Sequence, residues 1–347
     1  MDKDTLRIFS FPGGGAKGYA SNRFMQKFLH QWGILQADLW KYVDVMCGTS
    51  IGSILACGYA IGKTPDYMEN FFLEKAKRVF TIRTATEKAA SSHNASEDSN
   101  RPNVAQKLAM IATNDPFYKS AYDDSDYGHN ILHSTLVDNF GTKTLSDLKV
   151  PVVIPAYEED RKKYVMFSNF NDPTYFVGNT ETIVNVCRAS SAAPIYLPTH
   201  DFNGHKYSDG GIYANDAILM AINIGMTLKT HATRIVIVDV GCGIGNMSFD
   251  GSGSEAGIDY AAVRLFGLMQ VAMVGGEEYI RYYLDYLSNR LSKDVYYYKF
   301  QPRFPNTFSN ELDNSTAEWF SELASLVDEH YVTESGKIGS ILTHLTA

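Results

Sequence analysis

Two stretches near the start of this chain share one pattern. Each is a short, mostly apolar run, then a glycine-rich turn, then apolar positions at helical spacing. Residues 6–11 form the first run and Gly13 to Gly18 the first turn. A helix over 17–32 follows, with Phe24, Phe28 and Leu29 on one face and Gly33 where a helix C-terminus favours glycine. Residues 42–47 form the second run, Gly48-Thr49-Ser50-Ile51-Gly52 the second turn, and a small-residue helix spans 51–61. Strand, glycine turn and helix, twice over, predict a parallel sheet covered by helices.

Further along, Pro65 opens a helix over 66–80. Residues 84–103 are polar and read as a loop. With helices near 104–113 and 127–139, they predict an insertion over the sheet at about 84–140. Residues 150–157 and 163–168 alternate as a strand pair. A helix over 180–191 stops before Pro194. Residues 202–207 read as a short hairpin, 215–228 as a helix, and 234–240 as a continuous apolar strand ending in Gly241-Cys242-Gly243. After the Gly/Ser stretch 251–257 the character changes. Residues 258–291 predict a long aromatic-rich helix and 295–300 a strand. Ser315-Thr316-Ala317-Glu318 has capping-box spacing ahead of Trp319 and Leu323. The expected class is a three-layer α/β/α fold with a mainly parallel central sheet. A first domain spans 1–250, and 251–347 form a helical C-terminal extension, expected as a lid or regulatory element.

Composition supports a globular chain. Of 347 residues, 45% are hydrophobic and 20% charged, and the net charge is -8. An acidic chain without a basic block argues against nucleic acid as a partner, and gives no electrostatic reason to sit on an anionic membrane. The four cysteines show no Cys-x-x-Cys spacing and read as buried free thiols in a reducing compartment. The charged start, Met1-Asp2-Lys3-Asp4, is unlike a signal peptide, and no apolar run is long enough to span a bilayer. A soluble, cytoplasmic protein is expected, with signal-independent export an open alternative.

The glycine turns carry the candidate chemistry. Acyl transfer needs an activated hydroxyl and N–H donors aimed at the oxyanion formed when that hydroxyl attacks a carbonyl. A Gly-x-Ser-x-Gly turn at a strand end exposes Ser50 at a helix N-terminus, where the dipole favours an alkoxide. The Gly14 and Gly15 N–H groups suit the carbonyl oxygen, because side chains there would keep the backbone from approaching. Two rival readings use the same region. Gly13-Gly14-Gly15-Ala16-Lys17-Gly18 also fits a dinucleotide fingerprint, with Asp38 about twenty residues on as the ribose-binding acid. Asp38 precedes the second strand rather than ending it, which counts against that reading. Gly58 to Thr64 resembles a phosphate loop, but follows a helix and has Cys57 where the first glycine belongs.

A serine needs a base. Of nine histidines, only His231, His330 and His344 follow a plausible acid, and none sits in a glycine turn after a strand. Asp209-Gly210-Gly211 is better placed, although position alone favours a turn aspartate bonding its own backbone. As a base, Asp209 needs burial to raise its proton affinity.

Three motifs therefore stand in fixed order: Gly13 to Gly18, Gly48 to Gly52, and Asp209-Gly210-Gly211. Together they resemble the patatin-like phospholipase family. Ala189-Ser190-Ser191-Ala192-Ala193-Pro194-Ile195-Tyr196-Leu197-Pro198 and Val236 to Gly243 resemble later segments of that family. The resemblance covers about 6–245 and implies a Ser-Asp dyad, with Ser50 as nucleophile, Asp209 as base and Gly13, Gly14 and Gly15 in the oxyanion loop. Lys17 stands where the family has a basic residue, often arginine. The implied reaction is hydrolysis of glycerolipid esters through an acyl-enzyme, with membrane or micellar lipid as partner and no metal or cofactor. Asp250 to Glu255 only vaguely resembles a calcium loop and reads as a linker. Lys17, Ile195 and Tyr196 are candidate substrate contacts. Phe266, Met269, Met273, Tyr279 and Tyr283 form a stripe read first as core, and otherwise as a lid or membrane-contact helix. Two alternatives stay open: a nucleotide-binding oxidoreductase, and a catalytically silent lipase-fold binding module.

Overall fold

The computed structural model describes residues 4–76, 79, 128–177, 179–194, 196–245, 276, 279–290, 292–309 and 312–346. An eight-stranded sheet forms the centre, in the order β5-β6-β3-β2-β1-β7-β8, with β4 beside β3. Its strands are β1 (Thr5–Phe11), β2 (Val45–Gly48), β3 (Val152–Glu158), β4 (Lys163–Ser168), β5 (His200–Phe202), β6 (His205–Asp209), β7 (Arg234–Val240) and β8 (Asp294–Phe300). The run β3-β2-β1-β7-β8 is parallel, whereas β4, β5 and β6 join antiparallel.

β1 and β7 carry apolar side chains on both faces because both faces of the sheet are covered. Phe9, Phe11, Val236, Val238 and Val240 face the larger core cluster. Leu6, Ile8, Ile235 and Ile237 face the smaller one, on the opposite side. On the first face lie α1 (Gly18–Trp32), α2 (Ile51–Ala60), α3 (Pro65–Asn70), α4 (Gly128–Phe140) and α5 (Ile183–Ser190). The short α6 (Gly211–Ala214) follows β6. The second face is covered by α7 (Ile218–Leu228) and a helical stretch at 279–290, which buries Ile280, Leu284 and Leu287. The expected three-layer α/β/α arrangement is therefore present.

Local differences from expectation have local causes. The helix expected over 66–80 is α3 continued by one π-helical turn, Phe71–Ala76. The helix expected over 215–228 starts three residues later, as α7, because Asn215 accepts the Gly13 N–H and Asp216 accepts the Ser10 hydroxyl at 2.7 Å, and the short α6 before it was not expected. The loop 84–103, the helix near 104–113 and residues 251–275 lie outside the described residues.

Residues 294–346 belong to the same body as the rest. β8 pairs with β7 along its full length. Two final helices, α8 (Ala317–Thr333) and α9 (Ser335–Thr346), contribute Trp319, Phe320, Leu323, Ile338 and Ile341 to the larger core. Asp328 on α8 holds Arg23 of α1 through two hydrogen bonds, at 2.9 and 2.8 Å. The Leu345 carbonyl accepts from buried Arg7 Nε at 2.9 Å.

One detail of the sheet positions everything that follows. β4 occupies one edge of β3 from Val153 to Glu158, so β2 and β6 share the other. β2 pairs with the start of β3, ending at Cys47↔Val153, and β6 with its end, finishing at Ala156↔Asp209. β2 runs parallel to β3 and β6 antiparallel, so the two strands point at each other and stop. Pro155 lies at this gap. Its carbonyl faces Gly210, so the N–H it lacks belongs to an edge with no strand to receive it.

Candidate active site

Ser50 follows β2 directly and precedes α2. Its backbone has φ 55° and ψ -127°, a region non-glycine residues occupy only under strain, at a cost of about 1–3 kcal/mol. The surroundings hold it there. A Cβ at Gly52 would lie 1.7 Å from the Phe11 carbonyl oxygen, and one at Gly48 2.1 Å from that of Gly52. Only glycine at both positions lets strand, turn and helix close this tightly. The Ser50 N–H donates to Ser190 Oγ at 3.0 Å, and the Ser53 hydroxyl donates to the Ser50 carbonyl at 2.6 Å. Thr49 donates its hydroxyl to the Ala214 carbonyl at 2.8 Å, tying the turn to α6.

Asp209 ends β6 on the other side of the gap and is 3% exposed. Its Oδ1 accepts the Gly211 N–H at 2.7 Å, and Oδ2 has no hydrogen-bond partner. Burial pushes the carboxyl up to about 6, against the opposing pull of the Gly211 N–H and the Ser50 side chain. A Cβ at Gly210 would lie 2.3 Å from the Pro155 carbonyl oxygen, so only glycine lets the chain leave β6 here. The Asp209–Gly211 hydrogen bond is the local turn bond that position alone suggests. The other oxygen remains turned to other use.

The first glycine turn divides by role. Gly13 N–H bonds both the carbonyl oxygen and Oδ1 of Asn215, at 3.3 and 3.1 Å. Its N–H is already engaged, so Gly13 anchors the loop. Among the described residues, the N–H groups of Gly14 and Gly15 make no hydrogen bond. Gly15 has φ 59°, and a Cβ there would lie 2.2 Å from the Leu312 carbonyl oxygen. A Cβ at Gly14 would meet Cys242 at 2.5 Å.

Ser50, Asp209, Gly14 and Gly15 line one cavity, with an empty volume of about 640 Å³ including its mouth. Its lining is largely apolar, with Ile51 and Ile54 of α2, Phe71, Phe72, Leu132, Tyr196, Leu197 and Leu312. Ser191 is the remaining polar side chain at the wall apart from the Tyr196 phenol. The lining is that of an apolar slot with one reactive end.

Of the expected substrate contacts, Tyr196 is on this wall and Ile195 lies outside the described residues. Lys17 is elsewhere. It is 7% exposed, beside Cys242 rather than on the cavity wall, and burial lowers it to about 8. In the aromatic stripe, Phe266, Met269 and Met273 lie outside the described residues, Tyr283 packs on the smaller core and Tyr279 is 64% exposed. No histidine lines the cavity among the described residues. His330 packs on Phe300 and His344 stacks on Tyr296.

Sequence reasoning missed several groups. Ser190 fixes the Ser50 N–H, Asn215 anchors Gly13, and Leu312 meets the glycine turn from the far end of the chain. Only Asn215, next to the Asp209 turn, carried a local signal. The Leu312 carbonyl accepts the Ala16 N–H at 2.7 Å, a contact across nearly three hundred residues that no local pattern reports.

The rival readings fare differently. Asp38 lies in a short turn, Gln36–Tyr42, and pairs with Lys41 at 2.8 Å, away from the end of β2. With Leu312 against Gly15, the turn lacks the open approach a pyrophosphate needs. Gly62 has φ 91° at the end of α2, and Lys63 lies over the Tyr67 ring at 3.6 Å. Glu158, Asp160 and His205 bring potential metal-ligand atoms within 4.8 Å of one another at a hairpin tip. The Arg161 guanidinium already pairs with Glu158 there at 3.1 Å.

Known proteins similar to this chain share one family. The family model for patatin-like phospholipase matches residues 9–222. The cGAMP-activated phospholipase of Escherichia coli (strain TW11681) is 28% identical over 228 residues, covering 62% of this chain and 54% of that protein. Patatin-like protein 2 of Arabidopsis thaliana is 27% identical over 236 residues, covering 62% and 52%. The chain thus spans about half the length of these curated relatives. Human group IVD cytosolic phospholipase A2 aligns with all of this chain and 60% of its own, at 12% identity and a TM-score of 0.46. With a family model covering well over half of its length, this chain belongs to the patatin-like phospholipase family.

Proposed function

We propose that this protein is a lipid acyl hydrolase, cleaving carboxylic ester bonds of glycerolipids through a Ser50–Asp209 dyad. One observation carries the reading. A buried carboxylate with an unpartnered oxygen and a strained serine share an apolar cavity with two unengaged backbone N–H groups.

The acyl chain occupies the apolar slot, with its ester carbonyl at Ser50. As Ser50 Oγ attacks the carbonyl carbon, its proton passes to Asp209 Oδ2. An aspartate at its ordinary value is a weak base. Raised to about 6, it gains proton affinity yet stays ionised at neutral pH. Negative charge developing on the carbonyl oxygen is met by the Gly14 and Gly15 N–H groups. Removing one such donor typically costs about 10²–10³ in rate. Collapse of the tetrahedral intermediate expels the alcohol, which takes the proton from Asp209. Water, deprotonated by the same carboxylate, then releases the fatty acid from Ser50.

The substrates on this reading are membrane or micellar lipids. Among the described residues, no helix is long and apolar enough to cross a membrane. The test is a lipid-class hydrolysis panel read by mass spectrometry, with Ser50→Ala and Asp209→Asn beside the parent protein. Each substitution should lower turnover at least about 10³-fold with the fold retained. Activity persisting in either variant overturns the dyad. Running the panel with and without cGAMP asks whether the activation named for the bacterial relatives extends to this chain.

A further inference from the structure

The residues at the end of α5 touch both halves of the candidate dyad. Ser190 Oγ accepts the Ser50 N–H at 3.0 Å, and the Ala192 carbonyl accepts the Asp209 N–H at 2.9 Å. Ser191 stands between these two contacts and lines the cavity that Ser50 and Asp209 also line. Its backbone is fixed on both sides. The Ser191 N–H donates to the Cys187 carbonyl at 3.0 Å, and the Ser191 carbonyl accepts the Ala193 N–H at 2.8 Å.

The side chain is not used in this way. Ser191 is 6% exposed. A helical serine can turn its hydroxyl back onto the carbonyl four residues earlier, as Ser325 does on α8 and Ser340 on α9. Ser191 makes no such bond. Among the described residues, neither Ser191 Oγ nor Asp209 Oδ2 has a hydrogen-bond partner. A buried oxygen left unbonded costs the fold free energy, so neither is explained by packing. Both belong to the lining of one largely apolar cavity. Two such oxygens suit a small molecule that brings its own O–H groups, and water is the one that acyl-ester hydrolysis consumes.

We propose that Ser191 is a further catalytic residue, whose Oγ holds the water that releases the acyl group from Ser50. This role rests on the acyl-enzyme reading above. The water donates one O–H to Asp209 Oδ2 and the other to Ser191 Oγ, which leaves a lone pair of its oxygen for the acyl carbonyl carbon. As the water oxygen bonds to that carbon, its proton passes to Asp209. The carbonyl electron pair moves onto the oxygen met by the Gly14 and Gly15 N–H groups. Collapse breaks the bond between carbon and Ser50 Oγ, Asp209 returns the proton to Ser50 Oγ, and the fatty acid leaves. Ser191 keeps its own proton throughout and acts only by its hydrogen bond. The Ser190 and Ala192 contacts fix where that hydroxyl stands relative to nucleophile and base.

The test follows one turnover of p-nitrophenyl octanoate by the 347-residue chain, with protein in excess. Nitrophenolate release reports acylation, because this leaving group needs no proton. The intact protein mass reports the acyl adduct and its decay. Ser191→Ala should acylate at the parent rate and lose the adduct about tenfold more slowly, the effect of one hydrogen bond lost from the transition state. The adduct should therefore accumulate further in the variant than in the parent. Its melting temperature should equal or exceed the parent's, since no bond of the fold is removed. Adduct decay at the parent rate, or no added accumulation, overturns the role. Acylation slowed as much as decay, or a melting temperature several degrees lower, also overturns it, because each marks a hydroxyl that shapes the site rather than one that holds water. Failure of the hydrolase reading looks different: the parent then releases nitrophenolate no faster than Ser50→Ala, and the role of Ser191 falls with it.

Discussion

At the scale of single residues, the candidate site exchanges stability for reactivity, most clearly at Asp209. Its folded value of about 6 lies above the unfolded aspartate value of 3.8. The folded state therefore holds the proton more tightly. The stability this contributes is complete below about pH 4 and is lost as pH rises through about 6. A difference of two units corresponds to about 3 kcal/mol, so ionised Asp209 costs the folded protein up to that much at pH 8. Asp209→Asn should thus be more stable than the parent at pH 8, by up to about 3 kcal/mol in urea unfolding, with the advantage vanishing below pH 4. Its hydrolytic activity should be absent throughout. A parent kcat/KM that falls about tenfold per unit below pH 6 would accompany this. A variant less stable than the parent at pH 8 would show that the carboxylate contributes more to the fold than its burial costs.

At the scale of elements, the meeting of β2 and β6 on one edge of β3 explains why Ser50 and Asp209, far apart in sequence, converge on one cavity. The turns at both strand ends were legible as glycine motifs, because an overclose backbone approach demands glycine wherever it occurs. What they face was not legible: the shared edge arises from β4 taking the other side of β3, a pairing choice with no local signature. Asn215, from the turn after β6, takes the N–H of Gly13, a contact between distant segments that no local pattern reports. Gly52→Ala tests how tightly the elements lock. Its Cβ would lie 1.7 Å from the Phe11 oxygen, so β1 or α2 must move. The expected cost is about 3 kcal/mol of unfolding free energy, with at least a 10²-fold loss of turnover as Ser50 shifts. A variant with parent-like denaturation midpoint and rate would mean that the turn tolerates a wider angle than this contact allows.

At the scale of the molecule, the C-terminal residues separate what sequence and structure reveal. Helical spacing and the capping-box pattern from Ser315 made α8 visible, but the cap falls one residue later: Thr316 Oγ1 accepts the Trp319 N–H at 3.2 Å, and the buried Ser315 hydroxyl makes no hydrogen bond. Residues 295–300 were legible as a strand, but its place beside β7 was not, since parallel pairing is set by what covers the sheet. That placement joins 294–346 to the sheet and the core that hold the candidate site. β8 completes the edge next to β7, α8 covers α1 through Tyr19–Phe320 and Phe24–Tyr331 contacts, and the Leu312 carbonyl secures Ala16 beside the glycine turn. Removing residues 294–347 would strip β7 of its neighbour and expose the apolar face of α1, including Phe24 and Phe28, which are now fully buried. It would also free the Ala16 N–H. The truncated chain should be recovered as aggregate or as a dye-binding, non-cooperatively melting species, and should lack esterase activity even on a soluble short-chain substrate. A detachable regulatory extension predicts the opposite: a cooperative melt and retained or increased turnover. The two outcomes separate in one thermal scan and one colorimetric assay.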